Sequence, residues 1–290
     1  MKILVLGANG MLGSAVFRVL ATDGSHDVWG TVRSLASVSR FPAQYRHRLI
    51  TGVDVLDADG LVLALGRIRP EVVINAVGLI KQLADANDPL VALPINALLP
   101  HRLARLCALV GARLVHVSSD CVYSGRQGRY KESDRSDAED LYGRSKYLGE
   151  LHDLDHAITL RTSIIGHEQA SSHALIDWFL SQEGRVRGFS RAVFSGLPTV
   201  ELARVIKSHV LPRPNLTGLY HVSAEPIDKC RLLTLVARQY QKSIEIVPDD
   251  SVVIDRSLDG KRFAAATGYS APDWPDLVRL MYEQRGWPRE

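Results

Sequence analysis

The sequence predicts an α/β fold: a Rossmann-type, doubly wound parallel sheet with a smaller mixed α/β lobe towards the C-terminus. Three observations predict it. Short, continuously apolar runs, of the kind buried on both faces of a parallel sheet, alternate with runs whose apolar residues recur at helical spacing. The first apolar run passes straight into a glycine-rich turn that opens a helix. Residues able to bind or react then fall at the carboxyl ends of the apolar runs, outside which open α/β sheets take their ligands.

Lys2–Leu6 is the first strand, followed at once by Gly7-Ala8-Asn9-Gly10-Met11-Leu12-Gly13; Leu12, Ala15, Val16, Val19 and Leu20 then mark one apolar helix face. Glycines in this position let backbone approach a pyrophosphate, and a helix N-terminus offers unpaired N–H groups and a positive dipole end. Gly7, Asn9, Gly10, Met11, Leu12 and Gly13 are therefore candidate cofactor contacts. The spacing is Gly-x-x-Gly-x-x-Gly, not the Gly-x-Gly-x-x-Gly of two-domain dehydrogenases. The plainer alternative is a glycine-rich turn without a ligand.

Asp27–Val32 reads as the second strand. An NAD site places a carboxylate near the end of this strand, but Arg33 stands here, and a guanidinium suits a 2′-phosphate. NADP(H) is thus expected, with NAD(H) as the alternative and a solvated loop arginine as the plain reading. Ile50–Val55 reads as the third strand, placing Asp54 and Val55 at its end to meet an adenine. Glu71–Gly78 is a fourth strand running into a turn of small residues, where Asn75, Ala76 and Val77 can lie against the cofactor. Asn96–Val110 reads as a helix, and Ala112–Ser118 as the fifth strand, delivering Ser119. Ser124–Asp140 is a polar loop, and Ala157–Arg161 the sixth strand.

Tyr142 and Lys146 stand four apart on a helical stretch and so share one face. An ammonium beside a phenol favours the phenolate, and the expectation is a Tyr142 pKa lowered from about 10 toward neutrality, suited to general acid–base work. Alone the pair is weak; an exposed amphipathic helix carries the same spacing.

Beyond about residue 165 the pattern loosens. His173–Gln182 and Thr199–Val210 read as helices, the second with Thr199 as N-cap and Glu201 in its first turn. Gly218–Val222 and Ile244–Val247 read as short strands, and Leu232–Tyr240 and Trp274–Gln284 as helices. The expected division is a cofactor-binding domain over residues 1–165 and a substrate lobe over 166–290, interleaved with the first. Arg256 is that lobe's candidate substrate contact, although arginines in such a position, like Trp178 and the scattered histidines, more often serve structure.

At 290 residues and 46% apolar content the chain can bury a large core. Its net charge of +3, with both signs interspersed, holds no basic groove for nucleic acid and no polybasic anchor for a membrane. Cys107, Cys121 and Cys230 are odd in number and lack metal-type spacing, so reduced thiols and no metal are expected. The chain opens on an apolar strand without a charged leader, and no apolar run approaches the ~20 residues of a membrane span, which together point to the cytoplasm.

With the glycine turn, Asn75, Ser119, Tyr142 and Lys146 in this order, the chain resembles the extended short-chain dehydrogenase/reductases. Within them it is similar to the dTDP-4-dehydrorhamnose reductase (RmlD-like) branch, nearly end to end. The most specific pieces are Leu114-Val115-His116-Val117-Ser118-Ser119-Asp120 and Tyr142-Gly143-Arg144-Ser145-Lys146. Leu160-Arg161-Thr162-Ser163, Gly196-Leu197-Pro198-Thr199, Gly218-Leu219-Tyr220-His221-Val222-Ser223 and Arg256-Ser257-Leu258 support them.

The resemblance implies a nicotinamide cofactor, catalytic roles for Ser119, Tyr142 and Lys146, and a nucleotide-linked 4-keto-deoxysugar as partner, met by Ser119, Asp120, Cys121, Tyr142 and Arg256. A homodimer is the expected assembly. A nucleotide-sugar epimerase and a non-catalytic cofactor-binding subunit are the competing readings. The departures fall on the sugar side: Cys121 replaces the branch's usual Tyr, Ile164-Ile165 follows where Trp is usual, and Leu79-Ile80-Lys81-Gln82 differs from the usual polar run.

Overall fold

The computed structural model describes residues 1–79, 84–169 and 174–287. Seven of the apolar runs form one parallel sheet: β1 (Lys2–Leu6), β2 (Asp27–Val32), β3 (Leu49–Thr51), β4 (Val72–Asn75), β5 (Arg113–Ser119), β6 (Ala157–Thr162) and β7 (Gly218–His221). Their order is β7-β6-β5-β4-β1-β2-β3. Strand order reverses at β1, which pairs with β2 on one side and β4 on the other. That reversal opens a crevice at the carboxyl edge, the standard ligand position of doubly wound sheets.

The strand interiors are mostly apolar because both faces of the sheet are covered. Ile3 and Val5 pack on one face with Val16, Phe17 and Leu20 of helix α1 (Met11–Asp23). Leu4 and Leu6 face the other way, toward Leu61 and Leu65 of α2 (Ala58–Ile68) and Leu99 and Leu103 of α3 (Leu99–Val110). Each such side chain contributes about 1.5–3 kcal/mol by leaving water. On the α1 face the later part of the chain adds α5 (Thr199–Val205), α6 (Lys229–Gln239) and α7 (Trp274–Glu283), after α4 (Leu141–Leu148) has closed the first half.

Several boundaries differ from those expected. The third strand ends at Thr51 because Gly52 turns at φ +75°. The helix expected from Asn96 starts at Pro89, where Asp88 accepts the Leu90 amide. It passes through a wider π-helical turn at Leu93–Leu98 before α3, in a stretch where Pro94 and Pro100 lack N–H donors. Thr199 is the first residue of α5 and not its cap: Pro198 takes the cap position, and no side chain caps the helix. Glu201 is in the first turn, buried, and accepts the Tyr269 hydroxyl at 3.0 Å. Helix α2 has no counterpart among the expected elements, because Gly60, Gly66 and the exposed Val62 and Leu63 blur its apolar face. The short helix expected from His173 runs over Leu175–Ser181; His173 itself, like Ile80, Lys81 and Gln82, lies outside the described residues.

The later part of the chain is not a separate layer. Its strand β7 pairs in parallel with β6 in the main sheet, while smaller sheets form beside the crevice. No helix among the described residues is long and apolar enough to cross a membrane.

Candidate active site

The turn between β1 and α1 is built by close approach. A Cβ at Gly13 would sit 2.0 Å from the Gly7 carbonyl oxygen, so only glycine lets α1 pack onto the turn. Gly7 adopts φ +76°, and its amide donates to Thr31 Oγ1 at 3.1 Å. Gly10 occupies the cap position of α1 with no side-chain cap, which leaves the first amides of the helix open. That cradle suits a pyrophosphate.

Gly10, Met11 and Leu12 line one end of a cavity of about 630 Å³. Arg33 stands exposed on the same cavity's lining, and Asn75, Ala76 and Val77 form its floor. Asn75 is buried and works as a bracket: its Oδ1 accepts the Val77 amide at 3.1 Å, and its Nδ2 donates to His116 Nδ1 at 3.1 Å. Burial, helped by the Lys146 charge, holds that imidazole well below its ordinary pKa and therefore neutral. Asp54 and Val55 do not line the cavity. Asp54 accepts the Leu56 amide at 2.9 Å, and Val55 is packed in the core under α2. The Asn9 amide points to Ser37 Oγ at 3.4 Å.

Ser119, Tyr142 and Lys146 meet in this cavity. Ser119 ends β5, where its hydroxyl accepts the Cys121 amide at 3.1 Å and donates to Asp120 at 3.3 Å. Helix α4 carries the other two. Asp140 caps it by accepting the Gly143 amide at 2.7 Å. A Cβ at Gly143 would lie 2.2 Å from the Cys121 carbonyl oxygen, so this glycine lets α4 press against the turn after Ser119. Tyr142 is thereby hydrogen-bonded to Ser119.

Burial, reinforced by the acidic groups of Cys121 and Asp120, raises the Tyr142 pKa, while the Ser119 bond opposes the rise. This corrects the expected lowering by Lys146. The ammonium of Lys146 donates to the Val117 carbonyl at 2.9 Å. Burial pulls Lys146 down to about 8, against the opposing charge of Glu150. At neutral pH the arrangement therefore holds a protonated phenol, a hydroxyl bonded to it and a buried ammonium: one proton donor and two groups that can bind oxygen.

Beneath them lies a buried network. Glu150 accepts from Ser118 Oγ at 2.7 Å and from Arg161 Nε at 2.8 Å and a terminal nitrogen at 2.5 Å. Arg161 also reaches the Tyr123 hydroxyl at 2.5 Å and His221 Nε2 at 2.9 Å. The motifs around Arg161 and His221 serve this support.

The far wall comes from a small sheet in which Ala192–Phe194 pairs with Ile227–Asp228 and Ile254–Asp255. It brings Phe194, Lys229 and Arg256 to the cavity that Asp120 and Cys121 also line. Arg256 Nε donates to the Tyr123 carbonyl at 2.8 Å, and its Nη1 lies 3.9 Å from Cys121 Sγ. Asp120 is buried, and burial raises its pKa against the pull of Arg256 and Lys229. Sequence reasoning misses Phe194 and Lys229. A lone lysine at a helix start carries no signal until the sheet places it.

Known proteins resemble this chain in sequence and in fold. The chain is 40% identical over 170 residues to dTDP-4-dehydrorhamnose reductase of Mycobacterium tuberculosis, covering 56% of this chain and 49% of that protein. It is 29% identical over 167 residues to methionine adenosyltransferase 2 subunit beta of Xenopus tropicalis, covering 57% and 47%. The matched stretch thus spans about half the length of these relatives. A crystal structure of dTDP-4-dehydrorhamnose reductase from Bacillus anthracis in complex with NADP superposes with a TM-score of 0.79 at 19% identity, covering 98% of this chain and 99% of the other. The family model described as the RmlD substrate binding domain matches residues 1–251, and the chain belongs to that family.

Proposed function

We propose that this protein is an NADPH-dependent reductase of a nucleotide-linked 4-keto-deoxysugar. The convergence of Ser119, Tyr142 and Lys146 in one cavity with the open glycine turn carries this reading. Similarity to a dTDP-4-dehydrorhamnose reductase, and the fold shared with one crystallised with NADP, support it.

The residues present fit a nicotinamide dinucleotide. Gly10, Met11 and Leu12 would hold its pyrophosphate on open amides, Arg33 its 2′-phosphate, the turn at Ala76 and Val77 its middle, and Tyr142 with Lys146 the ribose beside the ring. When bound, the cofactor supplies a hydride. Tyr142, held protonated, donates its proton to the oxygen on which charge develops. Ser119 donates a hydrogen bond to the same oxygen, and Lys146 keeps positive charge beneath the site. Preorganised donors of this kind stabilise the developing charge in a way that water cannot.

The test is NADPH oxidation across a panel of nucleotide-linked 4-ketosugars. One NADPH is expected to be consumed per ketone reduced. Tyr142→Phe should lower turnover by about 100- to 10,000-fold while leaving NADPH affinity essentially unchanged. Full activity in Tyr142→Phe would remove the acid assignment, and product without net NADPH consumption would turn the reading to an epimerase.

One observation favours a second reading. A relative of this chain is named as the beta subunit of methionine adenosyltransferase 2, so a cofactor-binding subunit is the alternative. NADPH binding without oxidation of any ketosugar would favour it.

A further inference from the structure

The small sheet beside the crevice brings to the cavity a cation to which the proposed reaction gives no role. Ile227 pairs with Phe194 and Asp228 with Val193, so the next residue, Lys229, is carried over the Phe194 ring, its Nζ 3.6 Å from the ring centre. Its neighbours on this wall are already engaged. The Asp228 carboxylate accepts the Arg231 amide at 2.8 Å, and the Arg256 Nε is bonded to the Tyr123 carbonyl. Lys229, by contrast, makes no hydrogen bond and no ion pair within 4.0 Å among the described residues.

An ammonium carries three donors, and a half-buried one without acceptors is costly unless a ligand supplies them. Burial pulls Lys229 down to about 8, while Asp120 and Cys121 act to keep it charged. Those two residues directly follow Ser119, so the ammonium acts on the part of the cavity next to the reacting oxygen. This wall brings two cations, Lys229 and Arg256, to a cavity whose carboxyl beside them, Asp120, is pushed by burial toward its neutral form, while Glu168, which also lines the cavity, accepts the Ala174 amide at 2.9 Å. Such a wall suits an anion. In a nucleotide-linked ketosugar the anionic group nearest the sugar is the phosphate that bears it.

We propose that Lys229 binds the sugar-bearing phosphate of the substrate, using Phe194 as the platform that holds its ammonium against the cavity. This rests on the reductase reading for the substrate class and adds the residue that places the sugar before Ser119 and Tyr142.

The experiment titrates thymidine diphosphate and thymidine monophosphate calorimetrically into the NADP⁺-saturated wild type, Lys229→Met and Lys229→Arg. Lys229→Met is expected to weaken the diphosphate by about 10- to 100-fold and the monophosphate, which lacks the second phosphate, far less. Lys229→Arg restores most of the loss. With the ketosugar, Lys229→Met raises KM and largely keeps kcat, and NADPH affinity is unchanged, which a folding defect would not allow. Equal diphosphate affinity in wild type and Lys229→Met overturns the assignment while leaving the reductase reading standing. A fall in kcat at unchanged KM also overturns it. A wild type that binds NADPH but none of thymidine, uridine, guanosine and cytidine diphosphates overturns both the assignment and the substrate class.

Discussion

At Lys146, burial and function pull in opposite directions. Lowering an ammonium from the ordinary 10.5 to about 8 corresponds to roughly 3 kcal/mol of burial cost at neutral pH. Lys146→Met should therefore raise the melting temperature of the ligand-free protein by a few degrees at about pH 7, while abolishing turnover. The sign follows from linkage. The folded state releases this proton more readily than the unfolded state, so the penalty is complete below about 8 and disappears as pH rises toward 10.5. The difference in Tm between variant and wild type should shrink over that window. In the wild type, kcat/KM should fall above about pH 8 as the ammonium is lost, with Tyr142 still protonated. A variant less stable than wild type at pH 7 would mean that packing, not charge burial, dominates at this position.

Among the elements, the helices that bring the site together do so by approaching closer than a side chain allows. Helix α1 touches the Gly7 carbonyl through Gly13, and α4 touches the Cys121 carbonyl through Gly143. Gly13→Ala must push α1 off the turn, because the clashing atom is backbone; it should cost about 1–3 kcal/mol or more and weaken NADPH binding. Gly66 offers the contrast. It lies within α2, and a methyl group there would meet nothing within 4 Å, so Gly66→Ala should stabilise by about 0.5–1 kcal/mol. Urea unfolding of the two variants measures both. Destabilisation by Gly66→Ala, or neutrality of Gly13→Ala, would contradict this geometry.

Across the whole molecule, the Glu150–Arg161 pair joins β6 to Ser118 of β5, His221 of β7 and the loop residue Tyr123. It therefore couples the first half of the chain to the strand that the later part adds to the sheet. Arg161 is 2% exposed, and removing its partner leaves a buried guanidinium uncompensated. Glu150→Ala should cost about 3–5 kcal/mol, read as a lowered denaturation midpoint. Because the Glu150 charge holds Lys146 up, the alkaline limb of kcat/KM should also move to lower pH. An unshifted limb would separate the network from the site above it.

The sequence by itself determined the parallel sheet, the glycine turn and the order of Ser119, Tyr142 and Lys146. These are local signals: continuous apolar runs require burial on both faces, and Tyr142 and Lys146 share one helical face by spacing alone. It also placed Arg33 at the end of β2, where it lies on the cavity. Only the tertiary structure decided the electrostatics. The Tyr142 pKa depends on how deeply the phenol is buried and on which groups surround it, and burial raises it against the expectation from spacing. Asp54 and Val55 stay off the cavity, the one accepting the Leu56 amide and the other packed in the core, and α3's helical run starts at Pro89 behind a cap by Asp88. The wall of Phe194, Lys229 and Arg256 was illegible for the same reason. Its three residues are distant in sequence and meet only because short strands pair across the lobe, and pairing between distant strands leaves no periodicity in the chain to read.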